Sequence, residues 1–215
     1  MDPCVWGPPL WSLLHGAAQA QPLRAEAPVR DAIMAMRCVL PCKHCRVSLR
    51  RFWEAVSGAC FEDPFDLVWL LHNSVNRKLG KPELTHERAR RVWSNSVHEP
   101  VSALRLAEAL VIVDANLATR ALGRERRAVL RCYEQWWDAV ARLCALVPML
   151  QRTGRLMRRR AQRVTARTAM RRSNSLRTAL LRDAGRVDLA LTPAQAAARA
   201  RKCRKAPARP RARKG

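Results

Sequence analysis

Apolar positions along this chain recur at spacings of three and four, the period of a helix buried on one face, and no stretch alternates convincingly as a half-buried strand would. No Asn-Gly or Asp-Gly turn separates two apolar runs, so hairpins are not expected. The pattern predicts a first helix from near Pro9 through Trp11, Leu14, His15 and Ala18, and a second over about Ala27–Val39. A third starts at the Pro41-Cys42 step, carries Cys45, Leu49, Phe52, Trp53 and Val56, and stops at Gly58. Asp63-Pro64, a capping carboxylate followed by proline at the first helical position, opens a fourth that closes at Gly80. Thr85 caps a short fifth helix ending near Trp93. Beyond Pro100 two longer helices are expected, Val101–Leu122 and Arg124–Val147, joined at Gly123. The second carries Val129, Tyr133, Trp136, Val140, Leu143 and Val147 as one apolar stripe. The pair reads as an αα-hairpin packed on the preceding helices or on a partner. The fold class is all-α.

Charge divides the chain differently. Residues 1–150 hold 20 basic and 15 acidic side chains, net +5, whereas residues 151–215 hold 21 and 2, net +19. The first part is long enough to bury a core. The second is poor in large apolar residues, with a weak helical tendency around Leu176–Leu191 and expected disorder over Arg199–Gly215. Such a tail suits nonspecific binding of nucleic acid by phosphate neutralisation, without interleaved aromatics for base stacking. Apolar runs such as Ala109–Val113 fall far short of the about 20 residues that span a bilayer, so no membrane association is expected. Ala18-Gln19-Ala20 imitates a signal-peptidase site, but Asp2 stands where a basic start belongs, and Pro3, Pro8, Pro9 and His15 interrupt the apolar stretch. The expected location is cytoplasmic.

Of eight cysteines, Cys38, Cys42, Cys45 and Cys60 cluster, and Cys4, Cys132, Cys144 and Cys203 are scattered. Cys42-Lys43-His44-Cys45 is a C-x-x-C at a helix start, where unbonded backbone N–H groups and the helix dipole favour a thiolate. Such a pair can cycle between dithiol and disulfide. Two metal readings compete. Cys38, Cys42 and Cys45 form a C-x3-C-x2-C pattern that resembles the iron–sulfur signature of radical-SAM enzymes, although the strand–helix alternation of their barrel is missing. A zinc site from the same cysteines with His44 or His72 lacks a second paired-ligand motif. Cys38, Cys132 and Cys144 also read as buried thiols that serve packing.

The surroundings of the pair favour redox chemistry. Trp6-Gly7-Pro8-Pro9-Leu10-Trp11-Ser12-Leu13-Leu14-His15 precedes it, His72-Asn73-Ser74-Val75-Asn76-Arg77-Lys78-Leu79-Gly80-Lys81-Pro82 follows it, and Trp93 closes the set. On the fourth helix, Trp69, His72, Asn73 and Asn76 share one face, and Leu67, Leu71, Val75 and Leu79 offer another to the core. Buried amides and an imidazole need polar partners, since each unpaired amide costs about 1–3 kcal/mol. In order and spacing these blocks resemble the Erv/ALR family of FAD-linked sulfhydryl oxidases over about Val5–Trp93. The resemblance implies a four-helix bundle plus a short fifth helix that holds FAD over residues 1–97, followed by the hairpin over 98–148 and the basic tail over 149–215. It implies that Gly7, Trp11, His15, His72, Asn73, Asn76, Lys78, Lys81 and Trp93 line or contact FAD. Cys45 would face the flavin, and Cys42 would take electrons from substrate protein thiols, with O2 as final acceptor and H2O2 as product. A homodimer is implied as well.

The sequence departs from the family in two places. Cellular members tie the fourth helix to the fifth with a disulfide, where this chain has Trp69 and His86, and Leu40 stands where many have Tyr. In the short viral members that disulfide pattern is also absent. Cys4, Cys60 and Cys203 are candidates for relaying electrons to Cys42. The rival reading is a basic nucleic-acid-binding or virion-packing protein whose redox module is secondary.

Overall fold

The computed structural model describes residues 3–96, 100–119, 123–152, 154, 155 and 178. Seven α-helices follow one another in these residues: α1 Pro3–Ala20, α2 Pro22–Val39, α3 Lys43–Val56, α4 Pro64–Lys78, α5 His86–Ser96, α6 Pro100–Thr119 and α7 Arg126–Leu146. Short 3₁₀ turns occupy Gly123–Glu125 and Pro148–Leu150. No strand occurs among the described residues, and no helix there is long and apolar enough to cross a membrane. The weak helix expected around Leu176–Leu191, the end of the expected helix at Leu122 and nearly all of the basic tail lie outside the described residues.

Local chemistry sets most boundaries. The Asp63 carboxylate accepts from the Phe65 N–H at 2.8 Å, and Pro64 follows at the first position of α4. Gly80, at φ 65°, turns the chain after α4 in the left-handed region that glycine adopts without strain. Thr85 Oγ1 accepts from the Arg88 N–H at 3.2 Å at the start of α5. Two helices begin earlier than the sequence predicts. α1 starts at Pro3 and runs through Pro8 and Pro9, and α2 starts at Pro22 and runs through Pro28. A proline inside a helix deprives the carbonyl four residues back of its partner. Those carbonyls belong to Cys4, Val5 and Arg24, all exposed, so water can take the place of the lost donor. Leu79, expected in the core, is 51% exposed because it caps α4 rather than extending its apolar face.

One continuous core runs through all seven helices. α1 and α2 lie at its centre. Leu13, Leu14, His15, Gly16, Ala17 and Ala18 are all buried, so α1 is covered on every side at this level, with α4 and α5 against it and α6 also packed on it. α7 packs along α2 in the most extensive helix–helix contact among the described residues. The two run antiparallel: Gln21 Nε2 donates to Leu146 O at 3.0 Å, Arg142 pairs with Asp31, and Tyr133 Oη donates to Val39 O at 3.3 Å. The pair after Pro100 therefore packs on the preceding helices, with α6 seated on α1 and α7 on α2. The two meet through side chains, where Trp137 Nε1 donates to the buried Asp114 carboxylate at 3.2 Å and Tyr133 Oη contacts Val113 O at 2.9 Å. Past the 3₁₀ turn at Pro148 the chain returns to α7, and Gly154 is seated against Ala141 and Ala145.

Candidate functional site

Leu40 and Pro41 carry the chain from α2 to α3, and Cys42 caps α3 with its own sulfur, which accepts from the Cys45 N–H at 3.2 Å. Both cysteines are half-buried thiols. They are strongly polarised against one another. The Cys45 thiol donates to Cys42, and with the backbone N–H groups of Cys45 and His44 and the His44 side chain it brings Cys42 down from 9 to about 5, against the opposing effect of burial. Cys45 is pushed far above the ordinary thiol range by that same hydrogen bond, by burial and by the Cys42 charge. Lys78 and Arg46 act on Cys45 in the opposite sense. Arg46 also hydrogen-bonds Leu40 O, and Lys78 reaches Ser48 on α3. The dithiol thus holds its negative charge on Cys42 and its proton on Cys45.

A second cluster joins α1, α4 and α5. The Trp11 ring stacks on His72 with centroids 4.3 Å apart and planes 5° from parallel, and His15 stacks on Trp93 at 4.8 Å and 3°. His15 Nε2 and His72 Nδ1 are 3.1 Å apart, and Phe65 closes against His15 at 4.9 Å. Burial, helped by Lys81, lowers His72 to about 4. Burial, helped by His72, holds His15 well below its ordinary 6.5. Both imidazoles are therefore neutral at pH 7. His15 Nδ1 is buried without a hydrogen-bond partner among the described residues. A cavity of about 60 Å³ opens beside Trp93 between Gly16, Gln19, Val147 and Pro148, large enough for water but not for a dinucleotide.

Most of the residues singled out by the sequence fall at these two clusters, and α4 serves both, with His72 among the rings and Lys78 within electrostatic reach of Cys45. Lys78 lies by Cys45, and Lys81, also exposed, lies by His72. A side chain added at Gly7 would meet open space. Asn76 is 9% exposed, and its amide makes no hydrogen bond among the described residues. Asn73 is used differently from expectation. Its Nδ2 donates to Leu84 O at 2.8 Å and its Oδ1 accepts from the Leu84 N–H at 3.0 Å, so the amide clamps the loop before α5. Trp69 Nε1 donates to the same Leu84 O at 2.8 Å. Among the described residues no three His, Cys, Asp or Glu side chains gather as metal ligands. Cys38, the first cysteine of the C-x3-C-x2-C pattern, lies instead beside Cys132 on α7.

A family model described as the Erv1 / Alr family matches residues 8–94. A protein of Invertebrate iridescent virus 6, named "Putative FAD-linked sulfhydryl oxidase 347L", is 30% identical over 110 residues, covering 43% of this chain and 96% of its own length. The chain belongs to the Erv1/Alr family. No solved structure matches it significantly.

The Erv1/Alr match contains both clusters, with Gly7 one residue outside it, whereas α6 and α7 lie wholly beyond it. Where cellular members carry the staple between the fourth and fifth helices, Trp69 and His86 meet edge to face at 5.3 Å and 88°. His86 Nε2 adds a 2.7 Å pairing with Asp66 on α4. Sequence reasoning missed this replacement contact, along with Phe65 beneath His15 and Arg46 beside Cys45. Phe65 had a legible signal, since it is the second residue of a capped helix one and two turns before Trp69 and His72. The Arg46 contact had none, because a basic residue in the first turns of α3 reads as surface.

Proposed function

We propose that the protein is a FAD-linked sulfhydryl oxidase that makes disulfides in substrate proteins. The observation that carries this reading is the polarised Cys42/Cys45 pair together with a slab of stacked aromatic and neutral imidazole rings, both inside the Erv1/Alr match. The slab suits a planar aromatic ligand with polar edges. Trp11, His72 and Trp93 offer partly exposed rings, His15 Nδ1 behind them offers an unsatisfied polar atom, and Lys78 and Lys81 offer positive charge for a pyrophosphate. Bound there, FAD supplies the two-electron acceptor for the reduced cysteine pair and the route to O2, with H2O2 as product.

The cysteines divide the exchange between them. A substrate thiolate attacks Cys42 Sγ of the oxidised pair, the Cys42–Cys45 bond breaks, and Cys45 leaves as a thiolate in the field of Lys78 and Arg46. The Cys42 charge and thiolate acceptor that raise Cys45 in the dithiol are absent at that moment, because Cys42 is in the mixed disulfide. The second substrate thiolate then attacks the substrate's own sulfur and expels Cys42. A thiol that titrates at about 5 is a good leaving group, which drives this second step. The substrate loses two electrons and two protons and gains one disulfide, and the pair becomes the dithiol.

The test is direct. Purified protein should be yellow with flavin absorbance and should oxidise dithiothreitol while consuming O2 and releasing H2O2. Cys42→Ser and Cys45→Ser should each abolish turnover and retain flavin. A colourless protein, or full activity in either variant, would overturn the reading. The net +19 of residues 151–215 favours a second role in binding nucleic acid. It would show as a mobility shift of DNA or RNA that weakens steeply with salt and little with sequence.

A further inference from the structure

One pair of thiols takes no part in this chemistry. Cys38 sits one residue before the end of α2, and Cys132 sits in the second turn of α7, beyond the residues that match the family. Both are half-buried. The two side chains lie close enough across the helix interface for the Cys38 sulfur to act on Cys132. The neighbouring residues fix the same register independently, because Tyr133, next to Cys132, donates to the carbonyl of Val39, next to Cys38. The pair lies near one end of the α2–α7 contact, and Gln21 with Leu146 closes the other. Burial and the Cys38 side chain push Cys132 up to about 12, against Arg37 and Arg50, which lie within electrostatic reach, and Arg37 in turn rests over the Trp53 ring. Cys144, fully buried on the same helix, is pushed up to about 12 by burial alone and faces no thiol among the described residues.

We propose that Cys38 and Cys132 are a disulfide-forming site that staples α7 to α2. Two thiols that face each other at one level of a helix interface need only a side-chain rotation and a small approach to reach an S–S bond of about 2.05 Å. A small disulfide such as oxidised glutathione is a sufficient oxidant. The Cys38 thiolate attacks one of its sulfurs and expels one glutathione thiolate. Cys132, giving up its proton, then attacks Cys38 Sγ in the mixed disulfide and expels the second. Two protein thiols are oxidised to one disulfide, and one glutathione disulfide is reduced to two glutathione thiols, each taking a proton. The bond closes a loop of more than ninety residues, which includes the flavin-site helices α3, α4 and α5 and the whole of α6. Cross-links over loops of that length restrict the unfolded chain most. The helices outside the family match thereby become covalently tied to the segment that leads into Cys42.

The experiment uses the full chain, reduced, freed of reductant and incubated with oxidised glutathione. Peptides are then mapped after alkylation without reduction, and melting is followed by circular dichroism. A linked Cys38–Cys132 peptide is expected, with Tm raised by about 10 °C. Dithiothreitol should reverse that rise. Cys38→Ser and Cys132→Ser should each melt like the reduced wild type and fail to respond to glutathione. Cys42→Ser with Cys45→Ser should still form the staple, which separates this site from the redox pair and from the oxidase reading. Recovery of Cys38 and Cys132 as separate glutathione adducts or unmodified thiols would overturn the proposal. So would a linked peptide with unchanged Tm.

Discussion

Replacing Cys45 with alanine removes the group that does most to keep Cys42 ionised. In the dithiol Cys42 titrates at about 5, so at pH 7 about 99% of it is thiolate, against about 1% for a thiol at 9. The Cys45 S–H is the largest of the lowering influences, ahead of the Cys45 and His44 backbone N–H groups and the His44 side chain, and burial works against them all. Without that S–H the midpoint should rise by on the order of 2 pH units, while Cys45→Ser, which keeps an O–H donor, should shift it less. The ultraviolet absorbance of the thiolate against pH, measured on reduced flavin-free protein, reads this midpoint. An alkylation rate at one pH would not. Each unit rise in pKa makes a thiolate roughly threefold more nucleophilic, which offsets much of the lost thiolate fraction. If the midpoint stays near 5 in Cys45→Ala, the helix terminus alone ionises Cys42, and the division of labour between the two cysteines fails.

Four further outcomes are expected. Asn73→Leu removes two hydrogen bonds to Leu84 and strands its N–H, so urea denaturation should show a loss of about 2–3 kcal/mol; Trp69→Phe, which removes one of two donors to Leu84 O, should cost about 1 kcal/mol. His15 and His72 are held below the 6.5 they have in the unfolded chain, so the unfolded state takes up more protons as pH falls. Their contribution is complete above pH 6.5 and is lost as pH falls from 6.5 toward 4, at up to about 1.4 kcal/mol per pH unit for each. Urea midpoints between pH 7 and 5 should therefore fall, and fall less in His72→Phe; equal slopes would show that His72 is protonated freely. A Cβ at Gly154 would lie 2.5 Å from Ala145 N and 2.7 Å from Ala141 O. Gly154→Ala should therefore lower stability by about 1–3 kcal/mol, and an unchanged Tm would place that segment away from α7.

Local interactions made part of this protein readable from its residues alone. The Asp63 cap with Pro64, the turn at Gly80 and the sulfur cap at Cys42 each depend on groups within a few positions of one another, so their signals stand together in the sequence. Spacing placed His72 on the polar face of α4, and the blocks around Trp11 and Trp93 brought in the rings that stack with it and with His15. Tertiary structure decided the rest, because the deciding partners are far apart in the chain. Whether prolines 8, 9 and 28 break a helix depends on which carbonyls water can reach, and that depends on packing. An amide at position 73 is equally suited to a ligand or to a backbone, and the path of the loop through Leu84 chose the backbone. The apolar stripe of α7 says that it packs, but not on what. Tyr133 finds Val39 across 94 positions and Gln21 finds Leu146 across 125, and the same interface brings Cys132 to Cys38. Helical period carries no information about such pairings, since it records only which face of a helix is buried and not which surface covers it.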